Sequence, residues 1–271
     1  MKIFVILFIL LALYVFPAYM QDDATHQPIV VPNTETLTLT STNTGFDYLI
    51  SVALPNNYST SDQSYPVLYV LDPDISFLSV SEFVRFLAGA GQLPELIIVG
   101  IGYPDPDQVV QLRSLDYYSS PDNFLAFMSE ELFPLIESTY RADPADRGLI
   151  GFSYGGEFVF HTLVWRSDLF NRYMAIDASG AEMMPYVMRN DENFINGFAG
   201  RDVRLFLSVE GTEMLSAALQ AKGYEGLTVS GLSLGSATHE QALHLSLPAG
   251  ILDIYCGVDR SICGSTIAQG M

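Results

Sequence analysis

Gly148-Leu149-Ile150-Gly151-Phe152-Ser153-Tyr154-Gly155-Gly156-Glu157-Phe158-Val159-Phe160 decides the fold, because it runs from a short apolar strand through a glycine-flanked serine into a stretch able to enter a helix. A serine on such a sharp strand-to-helix turn is held out as a nucleophile. Flanking glycines relieve the crowding, and the next backbone N–H, that of Tyr154, points where negative charge would develop. The Gly-x-Ser-x-Gly pattern alone is weak, since ordinary Gly and Ser usage predicts about 0.1 chance occurrences in a chain this long. A second copy makes the point: Gly231-Leu232-Ser233-Leu234-Gly235 ends an apparent strand but is followed by Gly235-Ser236-Ala237, a loop. Context selects Ser153 and leaves Ser233 a structural role.

Working outward, short apolar runs bounded by turn residues alternate with longer helical stretches. The runs are Pro66 to Leu71, Leu96 to Ile101, Gly148 to Ile150, Tyr173 to Ile176, Val203 to Val209 and Leu227 to Leu232. The helical stretches are Val80 to Leu87, Asn123 to Tyr140, Glu157 to Trp165, Glu213 to Ala221 and Glu240 to Ile254. This alternation predicts an α/β fold with a mostly parallel sheet covered on both faces. Pro134 should kink the second helix. Upstream, the alternating Thr36 to Thr40 and then Phe46 to Leu54, with a turn at Asn43-Thr44-Gly45, predict two antiparallel strands at the sheet edge.

A serine hydroxyl is a weak nucleophile at neutral pH, so a histidine must take its proton and a carboxylate must orient that histidine. Of the four histidines, His26 lies in a lead-in segment, and His161 lies about two helical turns beyond Ser153, roughly 12 Å along the axis. The order Ser, acid, His leaves His239, in the loop before the last helix, and His244, one turn inside it; His239 is the better base. The acid is expected just past Arg204 to Val209, at Glu213 or alternatively Glu210. The second oxyanion donor is expected from the loop Asp72-Pro73-Asp74-Ile75, and since Pro73 has no N–H it falls to Asp74 or a neighbour.

The chain has 271 residues and is 49 % hydrophobic and 16 % charged, enough for one sizeable core. Its net charge of -19 repels phosphate backbones, so nucleic acid is not an expected partner. Met1-Lys2 followed by the apolar run Ile3 to Phe16 has the form of a secretory signal, which predicts export to the periplasm or medium. Membrane attachment is expected only if that segment is not cleaved. The predicted organisation is a signal over 1–20, a lead-in over 21–34 and one domain over 35–271. Cys256 and Cys263 could pair in an oxidising compartment, and at their spacing they build no metal site.

With these residues in place the chain resembles the esterase family of α/β hydrolases that includes enterochelin (ferric siderophore) esterases, feruloyl esterases, formylglutathione hydrolases and the mycolyltransferases. The resemblance is carried by Tyr65 to Asp72, Ile97 to Gly102, Arg113 with Asp116-Tyr117, Gly151 to Gly156 and Thr238-His239-Glu240. It implies an α/β-hydrolase fold, a Ser-acid-His order that places the acid at Glu213 by matching Gly211-Thr212-Glu213, and a small-molecule ester as substrate with no cofactor. In some siderophore esterases of this group a Ser and His dyad suffices. Arg113 and Asp116 fall in a loop that borders the site in relatives, where Arg113 either contacts substrate or forms a structural ion pair. Hydrolysis through an acyl-serine, acyl transfer to an alcohol, and non-catalytic ligand binding on the same fold are the three functions compatible with these residues.

Overall fold

The computed structural model describes residues 30–179, 183–185, 197–209 and 211–257. Eight strands form one sheet: β1 (Thr34–Thr40), β2 (Asp47–Ala53), β3 (Tyr65–Leu71), β4 (Ile97–Gly102), β5 (Ala142–Phe152), β6 (Arg172–Ile176), β7 (Val203–Ser208) and β8 (Leu227–Gly231). Their order across the sheet is β1-β2-β4-β3-β5-β6-β7-β8. β1 with β2 and β2 with β4 are antiparallel, and all other neighbours are parallel. The parallel strands are short apolar runs because both of their faces are covered. On β3, Leu68 and Val70 join one buried cluster, whereas Val67, Tyr69 and Leu71 join the other. The edge strand β1, Thr-Glu-Thr-Leu-Thr-Leu-Thr, is mostly exposed and polar, which suits an edge that must not pair with another chain.

The helices are α1 (Pro73–Gly89), α2 (Val109–Ser114), α3 (Pro121–Phe127), α4 (Phe133–Thr139), α5 (Tyr154–Trp165), α6 (Thr212–Lys222) and α7 (His239–Cys256). α1 and α7 cover one face through Phe77, Val80, Val84, Leu243, Leu247 and Ile251. α3 to α6 cover the other through residues such as Phe124, Phe133, Phe158 and Leu215. The stretch expected as one helix with a kink at Pro134 is α3 and α4 joined by a π-helical turn, Met128–Leu132. There the Phe133 N–H reaches back five residues to the Met128 carbonyl, a wider turn next to a residue that cannot donate. α1 begins earlier than its apolar periodicity suggests, because Asp72 turns the chain and Pro73 is preset for a first helical position.

Close approach explains two glycines of β4. A Cβ at Gly100 would lie 2.7 Å from Pro73 Cβ, and one at Gly102 would lie 2.7 Å from Pro73 Cγ. Bare backbone on β4 is therefore what lets the loop after β3 turn so tightly over it. The signal and most of the lead-in fall at residues 1–29, outside the described residues. Cys263 and its pairing with Cys256 also lie outside them. Among the described residues no helix is long and apolar enough to cross a membrane.

Candidate active site

Three adjacent strands end in residues with positive φ: Asp72 after β3 at 52°, Ser153 after β5 at 57° and Asp177 after β6 at 46°. Each such residue turns the chain abruptly off the C-terminal edge of the sheet. Aspartate tolerates the left-handed region through local hydrogen bonding. Ser153 is further off, with ψ of -122°, and a conformation of that kind costs about 1–3 kcal/mol and persists only where its surroundings enforce it. They do so here. The Ser153 N–H donates to the Ile176 carbonyl at 2.9 Å, and its own carbonyl accepts from the Glu157 N–H at 3.1 Å. A Cβ at Gly151 would sit 2.1 Å from the Gly155 oxygen, so only glycine lets helix α5 start this close to its strand.

His239 is the first residue of α7, behind a capping box formed by Thr238 and Gln241. Its ring packs on Phe152, the residue before Ser153, centroid to centroid 4.5 Å. Its Nδ1 is hydrogen-bonded to Asp177 Oδ2 at 2.5 Å. The carboxylate against His239 is thus Asp177 at the end of β6, where the sequence reading placed Glu213 beyond β7. Glu213 is exposed in the first turn of α6, and its side chain makes no hydrogen bond among the described residues. Glu210 lies outside them. The reason is lateral: β6 neighbours β5, which leads into Ser153, whereas β7 is one strand farther, about 10 Å from β5 at ordinary strand spacing. The signal available in sequence was Asp177 directly after the apolar run Tyr173 to Ile176, the same strand-then-Asp pattern seen at Asp72.

Tyr154 opens α5 and Asp74 is the second residue of α1. Their N–H groups belong to first turns, which have no intrahelical partner. Arg113 does not pair with Asp116. Its Nε and Nη2 grip Asp72 at 2.7 and 2.9 Å, and Nη2 also donates to the Phe152 carbonyl at 3.0 Å. Burial raises the Asp72 carboxyl above its ordinary value, opposed by the Arg113 hydrogen bonds and charge. Asp116 instead accepts the hydroxyls of Tyr48 at 2.8 Å and Tyr103 at 3.0 Å. Its burial pushes it up to about 6, against the lowering of those two hydroxyls. His161 contacts Asp122 at 3.3 Å, His244 lies exposed on α7, and Ser233 lies exposed in the loop after β8. A cavity of about 350 Å³ follows the outer side of α5, lined by Tyr117, Tyr118, Phe160, His161 and Trp165 among others. Tyr118 connects it to the site, 6.0 Å from the Tyr154 ring.

A serine on a strained turn between strand and helix, set on a sheet of this order with a histidine at the start of its last helix, defines an α/β hydrolase. The chain belongs to the esterase family: the family model described as "Putative esterase" matches residues 41–256. It is similar to the ferri-bacillibactin esterase BesA of Bacillus subtilis (strain 168), 27 % identical over 201 residues, covering 65 % of this chain and 68 % of BesA. Among solved structures, the BES protein from Bacillus cereus superposes with a TM-score of 0.76 at 26 % identity, over 85 % of this chain and 97 % of that one. The siderophore hydrolase EstA from Aspergillus nidulans shares the fold, with a TM-score of 0.70 at 22 % identity, over 84 % of this chain and 96 % of that one. Ester hydrolysis is accordingly the chemistry of this protein.

Proposed function

We propose that hydrolysis runs through an acyl-Ser153 intermediate. His239 takes the Ser153 proton as the hydroxyl attacks the ester carbonyl, passes it to the departing alcohol, and then activates the water that releases the acid. Asp177 holds the His239 ring by Nδ1, which leaves Nε2 for the serine. The amides of Tyr154 and Asp74 are the donors for the oxyanion. The observation that carries this reading is the 2.5 Å contact between His239 and Asp177, with the ring seated on Phe152 beside Ser153. A fluorophosphonate probe should label the protein, and Ser153→Ala should abolish both labelling and turnover. Labelling that survives in Ser153→Ala would falsify the assignment.

The substrate is a small-molecule carboxylic ester, and similarity to BesA supports an ester of siderophore type. Against a strongly anionic ferric complex stand the net charge of -19 and the engagement of the Arg113 guanidinium by Asp72 and Phe152. Turnover of a catecholate trilactone, iron-free and iron-loaded, compared with a panel of short acyl esters distinguishes the two. Transfer of the acyl group to an alcohol uses the same intermediate; free acid as the sole product in the presence of a competing alcohol excludes it. Export is supported by Met1-Lys2 and the apolar run to Phe16, and sequencing the N-terminus of protein recovered outside the cytoplasm tests it.

A further inference from the structure

The two backbone segments that would cradle an oxyanion come from different strands. One is the β3–α1 turn carrying Asp74, and the other is the β5–α5 turn carrying Tyr154. A single side chain joins them. Arg113 binds both oxygens of Asp72, the residue at which the first turn begins, and the carbonyl of Phe152, the residue before Ser153. The contact is well shielded: the Asp72 side chain is 6 % exposed and that of Arg113 is 21 % exposed. The planar fork of a guanidinium suits this task, because it holds a carboxylate through two parallel bonds and still reaches a further acceptor.

We propose that Arg113 is a positioning residue that sets the spacing of the two halves of the oxyanion hole, and not a substrate contact. The proposal rests on the serine-esterase reading above. The guanidinium carbon lies 5.5 Å from the ring centroids of both Tyr117 and Tyr154, so two aromatic contacts add to its hydrogen bonds in holding it. The segment bearing it is fixed in turn. Three residues on, Asp116 accepts the hydroxyls of Tyr48 on β2 and Tyr103 just after β4. The strut therefore runs from the sheet through Asp116 to Arg113, and from there to both turns. The elbow and Asp72 are close enough that a Cβ at Gly155 would lie 3.3 Å from Asp72 Oδ2.

Lysine keeps the charge and three donors, but all three leave one nitrogen and cannot reproduce the planar fork by which Nε and Nη2 span Asp72 and Phe152, so Arg113→Lys is the informative variant, with Arg113→Met beside it. Steady-state rates on esters differing in acid and alcohol, and the rate of fluorophosphonate labelling, are measured on the full chain. Positioning predicts that kcat falls about 10- to 100-fold for every ester, with KM nearly unchanged and the labelling rate reduced by the same factor. An effect confined to KM, or one that varies with the ester, identifies a substrate contact and overturns the proposal. A folded Arg113→Met with wild-type kcat overturns it as well; if that variant does not fold, Arg113→Lys decides. Wild-type protein that neither turns over esters nor takes up the probe would refute the serine-esterase reading itself, before any Arg113 variant is compared.

Discussion

Asp177 and Glu213 are both carboxylates that follow a parallel strand, yet only Asp177 meets His239. Losing the orienting carboxylate leaves the imidazole free to adopt the wrong tautomer. Asp177→Asn should therefore lower kcat by about 10³- to 10⁴-fold, while Glu213→Gln should stay within about twofold; a rate assay on the pair settles which acid serves. Asp116 gives a separate, pH-linked expectation. Its folded carboxyl is raised from 3.8 to about 6, so between those values the unfolded chain releases the proton and the folded chain keeps it. Stability from this group is full below about pH 4 and is lost as pH rises through about 6, by about 3 kcal/mol at about 1.4 kcal/mol per pH unit. Urea midpoints at pH 4 and pH 6.5 should show Asp116→Asn gaining on the wild type at the higher pH.

The elements that carry the site are anchored at their ends. α7 starts on His239, so the capping box of Thr238 and Gln241 orients the proposed base as well as the helix. Thr238→Ala should cost about 1 kcal/mol of stability and slow turnover, read from a thermal melt and kcat together. α5 starts on the nucleophile turn, and Gly151 permits it. Gly151→Ala forces a contact of 2.1 Å with backbone and should abolish probe labelling and folding together. The second Gly-x-Ser-x-Gly offers the control: Ser233 is exposed in a loop, and Ser233→Ala should change stability by no more than about 0.5 kcal/mol. The strand-to-helix context of Ser153 was legible in the sequence because it depends on local pattern, and so was the neighbourhood of His239, although the helix begins on His239 itself and not after it. The partners of Arg113 were not. Its spacing from Asp116 in what reads as a loop suggests a local ion pair, but Asp72, 41 residues away, takes the guanidinium.

Across the whole molecule, the excess of 31 acidic over 12 basic residues gives a net long-range field that repels anions. At low ionic strength kcat/KM for an anionic ester should fall below that of its neutral isostere. The gap should close between ~10 mM and ~150 mM salt, as the Debye length shrinks from about 30 to about 8 Å. A gap indifferent to salt would assign the discrimination to local contacts. The antiparallel pair β1 and β2, read from the alternation of Thr36 to Thr40, sits at the sheet edge as expected.

The sequence by itself determined the alternation of buried strands and covering helices, the turn that holds Ser153 and the nearness of His239 to the start of the last helix, since periodicity and glycine placement act over a few residues. Only the tertiary structure decided which carboxylate faces His239 and which acceptors Arg113 joins. Both depend on the lateral order of strands, which puts β6 next to β5 and β3 on its other side. Residues far apart in the chain thereby become neighbours at one sheet edge, and no local pattern records that order.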